Sequence, residues 1–276
     1  LTFDALLYPD HPYGRSVQGY EETVTVLRRD DLLKYYQGHY SPKGMVVAVV
    51  GAVSTEDALD KVRATLGHWQ APNASPNRSI PPSVLLGEPR RKVEVVEGKT
   101  QSDIVLGWPG VARSAPDFMQ VYLANTVLGV FGMMGRLGNQ VRDEQGLAYY
   151  VYSSVDAGLG AGPWSAIAGV DPKNVERAIS GILREVCILR DELLSLDELA
   201  DSQSFLTGSL PLRLETNEGV ASTILNMERH DLGLDYLHRY PGLVNGVTPQ
   251  DVQEVAQRYL DPKVYALAIA GPEGTG

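Results

Sequence analysis

The chain has 276 residues, a formal net charge of −10 and 43% hydrophobic residues, room for one large domain or two ordinary ones. The acidic balance excludes general nucleic-acid binding, which needs a basic face, and no apolar run approaches the ~20 residues of a membrane helix. A single cysteine, Cys187, excludes a disulfide framework, and the N-terminus lacks the basic and apolar regions of a signal peptide; a cytoplasmic setting is expected.

The opening "LTFDALL" reads as if in mid-helix and without an initiator Met, so an internal fragment is expected. The acidic pairs Glu21–Glu22 and Asp30–Asp31 suit helix N-termini, where they complement the dipole. Asp31 to Gly51 reads as an amphipathic helix, a Pro-bearing turn and a buried strand ending at glycine. Gln70 to Arg91 holds five of the chain's 17 prolines and is a linker by composition. "KVEVVEG" and "SDIVLGWPG" read as strands. "SAPDFMQVYLANTVLG" then reads as a helix, with Pro116 near its first turn and Gly129 at its end.

"RDEQGLAYYVYSS" (Arg142 to Ser154) turns at Gly146 into a strand. Its alternation sets Tyr149, Val151 and Ser153 on one face and Tyr150, Tyr152 and Ser154 on the other. "GPWSAIAGV" is a further strand. From Pro172 to Tyr259 the pattern is helical and includes Cys187, expected as a buried small hydrophobe. Ser195 with Glu198 has the spacing of a capping box; Thr216 or Asn217 caps the next start, and Thr248, Pro249 and Asp251 offer an N-cap, an N1 proline and an N3 acid. "VYALAIAG" closes as a strand. Strands first, helices later and a strand at the end make an α+β fold.

One long-range pattern crosses the whole chain. Asp31 to Gly51 aligns without gaps to Asp251 to Gly271, an offset of 220 that pairs Asp31 with Asp251, Gln37 with Gln257, Pro42 with Pro262 and Gly51 with Gly271. Such spacing is too long for a solenoid repeat and suits two tandem homologous domains. The expected division is residues 1–69 as the truncated end of a first domain, 70–91 as linker and 92–276 as a second domain, with about 130 residues of the first copy lying upstream.

Chemistry is sparse. The five histidines stand in no zinc-binding spacing, and there is no C-x-x-C. "GVFGMMGRLGNQ" (Gly129 to Gln140) follows a helix and lacks the G-K-[ST] ending of a phosphate loop; a connection between helices and a substrate-facing loop both remain open. Arg142 and Tyr149 can converge across the Gly146 turn. Their guanidinium and phenol donors are equipment for holding a carbonyl oxygen or an oxyanion, while a surface ion pair plus a core tyrosine is the plainer alternative.

The tandem size, "HPYGRSVQGYEETV", "HYSPKGMVVAVVG", "RLGNQVRDEQGLAYYVYSS", "NVERAISGILREV" and "LETNEGVASTILNMER" together resemble the pitrilysin/insulinase family of zinc metallopeptidases, which includes the mitochondrial processing peptidases. The resemblance implies a mixed, mostly antiparallel sheet layered against helices. It implies a zinc-binding H-x-x-E-H in the first domain, absent from this chain, so zinc belongs to the full-length protein or a partner chain. The second domain then supplies Arg142 and Tyr149 to the substrate, with Gly135 and Arg136 of the preceding loop as further substrate-binding residues. Also implied are a peptide or unfolded polypeptide substrate, a homodimer or a heterodimer with a related chain, and no activity for this chain alone. A non-catalytic partner subunit is the alternative.

Overall fold

The computed structural model describes residues 1–71, 79–83, 85–130 and 135–275. Part of the expected linker (72–78 and 84) and part of the glycine-rich loop (131–134) lie outside the described residues. The helices are α1 (Thr2–Leu7), α2 (Glu21–Val24), α3 (Arg29–His39), α4 (Thr55–Leu66), α5 (Phe118–Asn125), α6 (Val175–Asp191), α7 (Leu196–Arg213), α8 (Asn217–Arg229), α9 (Tyr236–Asn245) and α10 (Pro249–Tyr259). Two π-helical turns, Thr126–Val130 and Gly138–Glu144, lie between α5 and the third strand. No helix among the described residues is long and apolar enough to cross a membrane.

Contacts divide the chain into two units. The first comprises Leu1–Arg15, Pro81–Gly208 and Leu237–Gly276. It holds the sheet: β1 (Arg90–Val95), β2 (Ser102–Pro109), β3 (Ala148–Val155), β4 (Pro163–Val170) and β5 (Ala266–Gly271), in the order β1-β5-β2-β4-β3. β1 runs parallel to β5 and every other pairing is antiparallel, so the sheet is mixed and mostly antiparallel as expected.

Register explains the two faces. Ile104 of β2 lies opposite Ala168 of β4 and Ile269 of β5, and Leu106 opposite Ala166 and Leu267. All six are buried on the face that takes helices α5 and α6. Helix α6 buries Val175, Ala178, Ile179, Ile182, Val186 and Leu189, the i, i+3, i+4, i+7 stripe of a helix lying on a core. Helix α1 covers part of the opposite face, packing Phe3, Leu7 and Tyr8 with Ala266 and Ala268.

The second unit comprises Ser16–Ile80 and Ser209–Tyr236. It contains α2, α3, α4 and α8, and no strand among its described residues. The strand expected at Met45–Val50 is therefore absent, and its side chains are exposed or half-buried rather than buried. A strand exists only through hydrogen-bonded neighbours, and none flanks this segment.

Most expected caps form. Thr216 caps α8 by accepting from the Gly219 N–H at 3.0 Å, and Thr248 and Asp251 close a reciprocal capping box on α10. Pro116 stands one residue ahead of Asp117, the N-cap of α5, near its first turn. Cys187 is half-buried on α6. At α7 the capping box is half made. The Glu198 N–H donates to Ser195 Oγ at 3.2 Å, but its carboxylate is taken by Arg136.

Candidate functional site

Arg142 sits on the second π-helical turn, Gly138–Glu144. π-helical turns are rare and concentrate at functional sites. Gly146 ends this turn at φ +60°, the left-handed conformation that glycine takes at helix C-termini. Its N–H donates to the Arg142 carbonyl at 2.9 Å, and the Leu147 N–H donates to the Val141 carbonyl at 3.0 Å. Val141, Leu147 and Ala148 are buried, so both arms of the turn are anchored in the core.

β3, an edge strand, begins at once. Ala148 lies opposite Val170 and Tyr150 opposite Gly169, which makes Tyr149 the extra residue of a β-bulge. Strict alternation put Tyr149 on the face of Val151 and Ser153. The bulge overturns that reading: Val151 and Ser153 are buried, whereas Tyr149 is 75% exposed. Bulges re-aim side chains in this way and are frequent beside active sites.

The alternative of a surface ion pair with a core tyrosine is not what forms. Among the described residues the Arg142 guanidinium has no hydrogen bond or ion pair, and Tyr149 is not in the core. An unpaired guanidinium and an exposed phenol thus stand on either side of one glycine turn.

Gly135 and Arg136 lie on the segment that precedes this turn. Gly135 is buried, and a Cβ there would meet the Gly129 Cα at 3.1 Å; a Cβ on Gly129 would in turn meet the Ser153 nitrogen at 2.6 Å. These two glycines allow the first π-helical turn to lie directly on β3. Arg136 makes a bidentate pair with Glu198, Nε to Oε1 at 2.7 Å and Nη2 to Oε2 at 2.9 Å, and its side chain is largely buried. Glu185 of α6 is buried as well, and burial raises its pKa against the pull of Arg184 and Arg136.

Two polar groups escaped the sequence reading. The Trp164 indole donates to Asn125 Oδ1 at 2.9 Å and the Ser153 hydroxyl donates to the Asn125 carbonyl at 3.2 Å, tying the end of α5 to β4 and β3. On the other face, the Tyr150 hydroxyl donates to Asp103 Oδ1 at 3.0 Å, Asp103 also pairs with Lys99, and the ring fills the space above Gly169. Only strand register brings these partners together, and no local spacing announces it.

Among the described residues, no three His, Cys, Asp or Glu side chains are grouped to hold a metal ion. The described residues therefore do not fit zinc. A family model described as the peptidase M16 inactive domain matches residues 27–206, more than half of the chain. The chain belongs to the M16 peptidase family.

Its likeness to other M16 proteins extends nearly end to end. It is 30% identical, over 98% of its length, to an uncharacterized zinc protease of Streptomyces coelicolor, of which it spans 59%. It is 22% identical, over 99% of its length, to the mitochondrial-processing peptidase subunit beta of Pongo abelii, spanning 57% of it. A crystal structure of an M16 inactive domain from Pseudomonas fluorescens shares the fold at a TM-score of 0.87 and 22% identity, over 98% of this chain and 64% of that one. The chain therefore spans about three-fifths of the length of the curated relatives it matches.

Proposed function

We propose that the chain is the C-terminal region of an M16 zinc metalloendopeptidase and supplies substrate-binding groups opposite a zinc site that it does not itself contain. The observation that carries this is the unpaired Arg142 guanidinium held beside the exposed, bulge-aimed Tyr149. Arg142 offers N–H donors and Tyr149 an O–H donor from the two arms of the Gly146 turn, and among the described residues neither is spent on an internal partner. A peptide carbonyl accepts such hydrogen bonds, and its oxygen accepts them more strongly as negative charge develops on it. Gly135 and Arg136 are further substrate-binding residues on this reading. The substrate on this reading is a peptide or an unfolded polypeptide, and the setting is cytoplasmic.

The test uses the intact gene product. Arg142→Ala and Tyr149→Phe should each lower kcat/KM for peptide hydrolysis by ~10²-fold with unchanged thermal stability. Wild-type turnover in both variants would sink the role given to the pair.

A second reading is favoured by one specific observation, the likeness to a protein named as a peptidase subunit. On that reading the chain belongs to a partner subunit that pairs with a related, zinc-bearing chain and lends it the same Arg142 and Tyr149. Homodimer and heterodimer are told apart by mass measurement of the purified protein, and an intact H-x-x-E-H upstream of Leu1 decides for the single-chain enzyme.

A further inference from the structure

Helix α6 buries one stripe in the core and carries a polar pocket beside it. Arg177, Ser180, Gly181 and Arg184 stand at i, i+3, i+4 and i+7, so they share one side of the helix. With Glu176 of the same helix and Gln145 of the Gly146 turn they line a pocket of about 360 Å³. Small-ligand sites run from ~300 to 1,000 Å³. Two small residues thus lie between two arginines whose positions are about 10.5 Å apart along the helix axis.

The side chains of this pocket are mostly donors. Among the described residues the Arg177 guanidinium has no hydrogen bond or ion pair. Arg184 donates from Nη2 to Gln140 Oε1 at 3.0 Å, which holds the side chain without cancelling its charge. Gln145 Nε2 stands 3.8 Å from where a Cβ on Gly181 would lie; it is buried and has no hydrogen-bond partner among the described residues. A buried donor without an acceptor is destabilising.

Three carboxylates stand near. Glu176 is taken by Arg91. Glu185 lies 3.6 Å from Arg184 Nε but is 3% exposed, and burial raises its pKa, which favours the neutral form. Glu144 is exposed on the turn, where water and salt screen it. One wholly free guanidinium and one only partly countered therefore line this pocket, in a chain whose net charge is −10.

We propose that the pocket binds a carboxylate, held by the Arg177 and Arg184 guanidiniums beside Ser180 and Gly181. The planar fork of a guanidinium matches the two oxygens of a carboxylate. A carboxylate oxygen also supplies the acceptor that Gln145 Nε2 lacks. A single negative charge suits a site with one wholly free cation, whereas a phosphate dianion brings more charge than that close to Glu144. Two sources carry this chemistry: a free dicarboxylic acid, and an aspartate or glutamate side chain of a polypeptide. The proposal rests on the pocket and its donors, not on the roles given to Arg142 and Tyr149.

Isothermal titration of the intact gene product at fixed ionic strength tests it, with no readout of activity. The probes are succinate, a blocked tripeptide with a central glutamate, and inorganic phosphate. At least one of the two carboxylate probes should bind saturably. Arg177→Ala and Arg184→Ala should each weaken that binding by about 10-fold or more. Arg177 has no internal partner among the described residues, so Arg177→Ala should melt at the wild-type temperature, which separates lost binding from lost folding. Tighter binding of succinate assigns the free acid. Tighter binding of the tripeptide, with none of its glutamine twin, assigns the polypeptide side chain. The proposal is overturned if neither carboxylate saturates, if binding survives both alanine variants, or if phosphate binds more tightly than either carboxylate.

Discussion

Tyr150 shows how one residue carries a measurable signature of the sheet. Burial and the hydrogen bond to the Asp103 carboxylate push its phenol up to about 12 from the ordinary tyrosine value of 10.0. The folded protein therefore holds this proton more tightly than the unfolded chain does. The resulting stability is fully present below about pH 10 and is lost as pH rises from there through about 12. Tyr150→Phe should flatten the fall in Tm across that window and leave the neutral-pH fold intact, because the ring still packs over Gly169. Thermal melts of both proteins from pH 9 to pH 12 check this, and an identical alkaline slope would refute the assignment. Neighbouring Tyr149 and Tyr150 are the same residue type with opposite fates. The sequence shows both tyrosines, but the bulge that separates them is a property of pairing with β4, which alternation within one strand does not contain.

At the scale of elements, the link between the second π-helical turn and β3 depends on Gly146. A Cβ at this position would meet nothing within 4 Å, so a substitution there is penalised only through the backbone at φ +60°. Gly146→Ala should cost about 1–2 kcal/mol, a Tm decrease on the order of 2–8 °C. On the proposed function it should also lower kcat/KM further than the stability loss explains, because Arg142 and Tyr149 are carried on the two arms of this turn. An unchanged Tm would mean the turn relaxes freely, and the rigid presentation of the pair would be wrong. The elements themselves were largely legible beforehand. Each of the five strands overlaps a stretch read as a strand, and Thr216, Thr248 and Asp251 cap where short-range chemistry says they should. The failures are all non-local. Glu198 has capping-box spacing but turns to Arg136, and Met45–Val50 has strand composition but no neighbours.

At the scale of the whole molecule, the proposed function puts the metal chemistry outside this chain. Zinc ligands are drawn from His, Cys, Asp and Glu, and the residues outside the described set (72–78, 84, 131–134 and 276) contain none of these types. Among the described residues no such ligands are grouped to hold a metal. A metal that binds only the native state stabilises it, by about 2.7 kcal/mol at one hundred times its dissociation constant. That would raise Tm by several degrees for a protein of this size. Titrating zinc into the 276-residue chain should accordingly leave Tm unmoved, and a chelator should do the same. On the proposed function, the intact gene product should behave differently, losing both turnover and part of its thermal stability to the chelator and regaining them with zinc. A zinc-dependent rise in Tm of the 276-residue chain would place metal ligands within it and overturn the proposed division of labour, in which this chain holds substrate and another segment holds zinc.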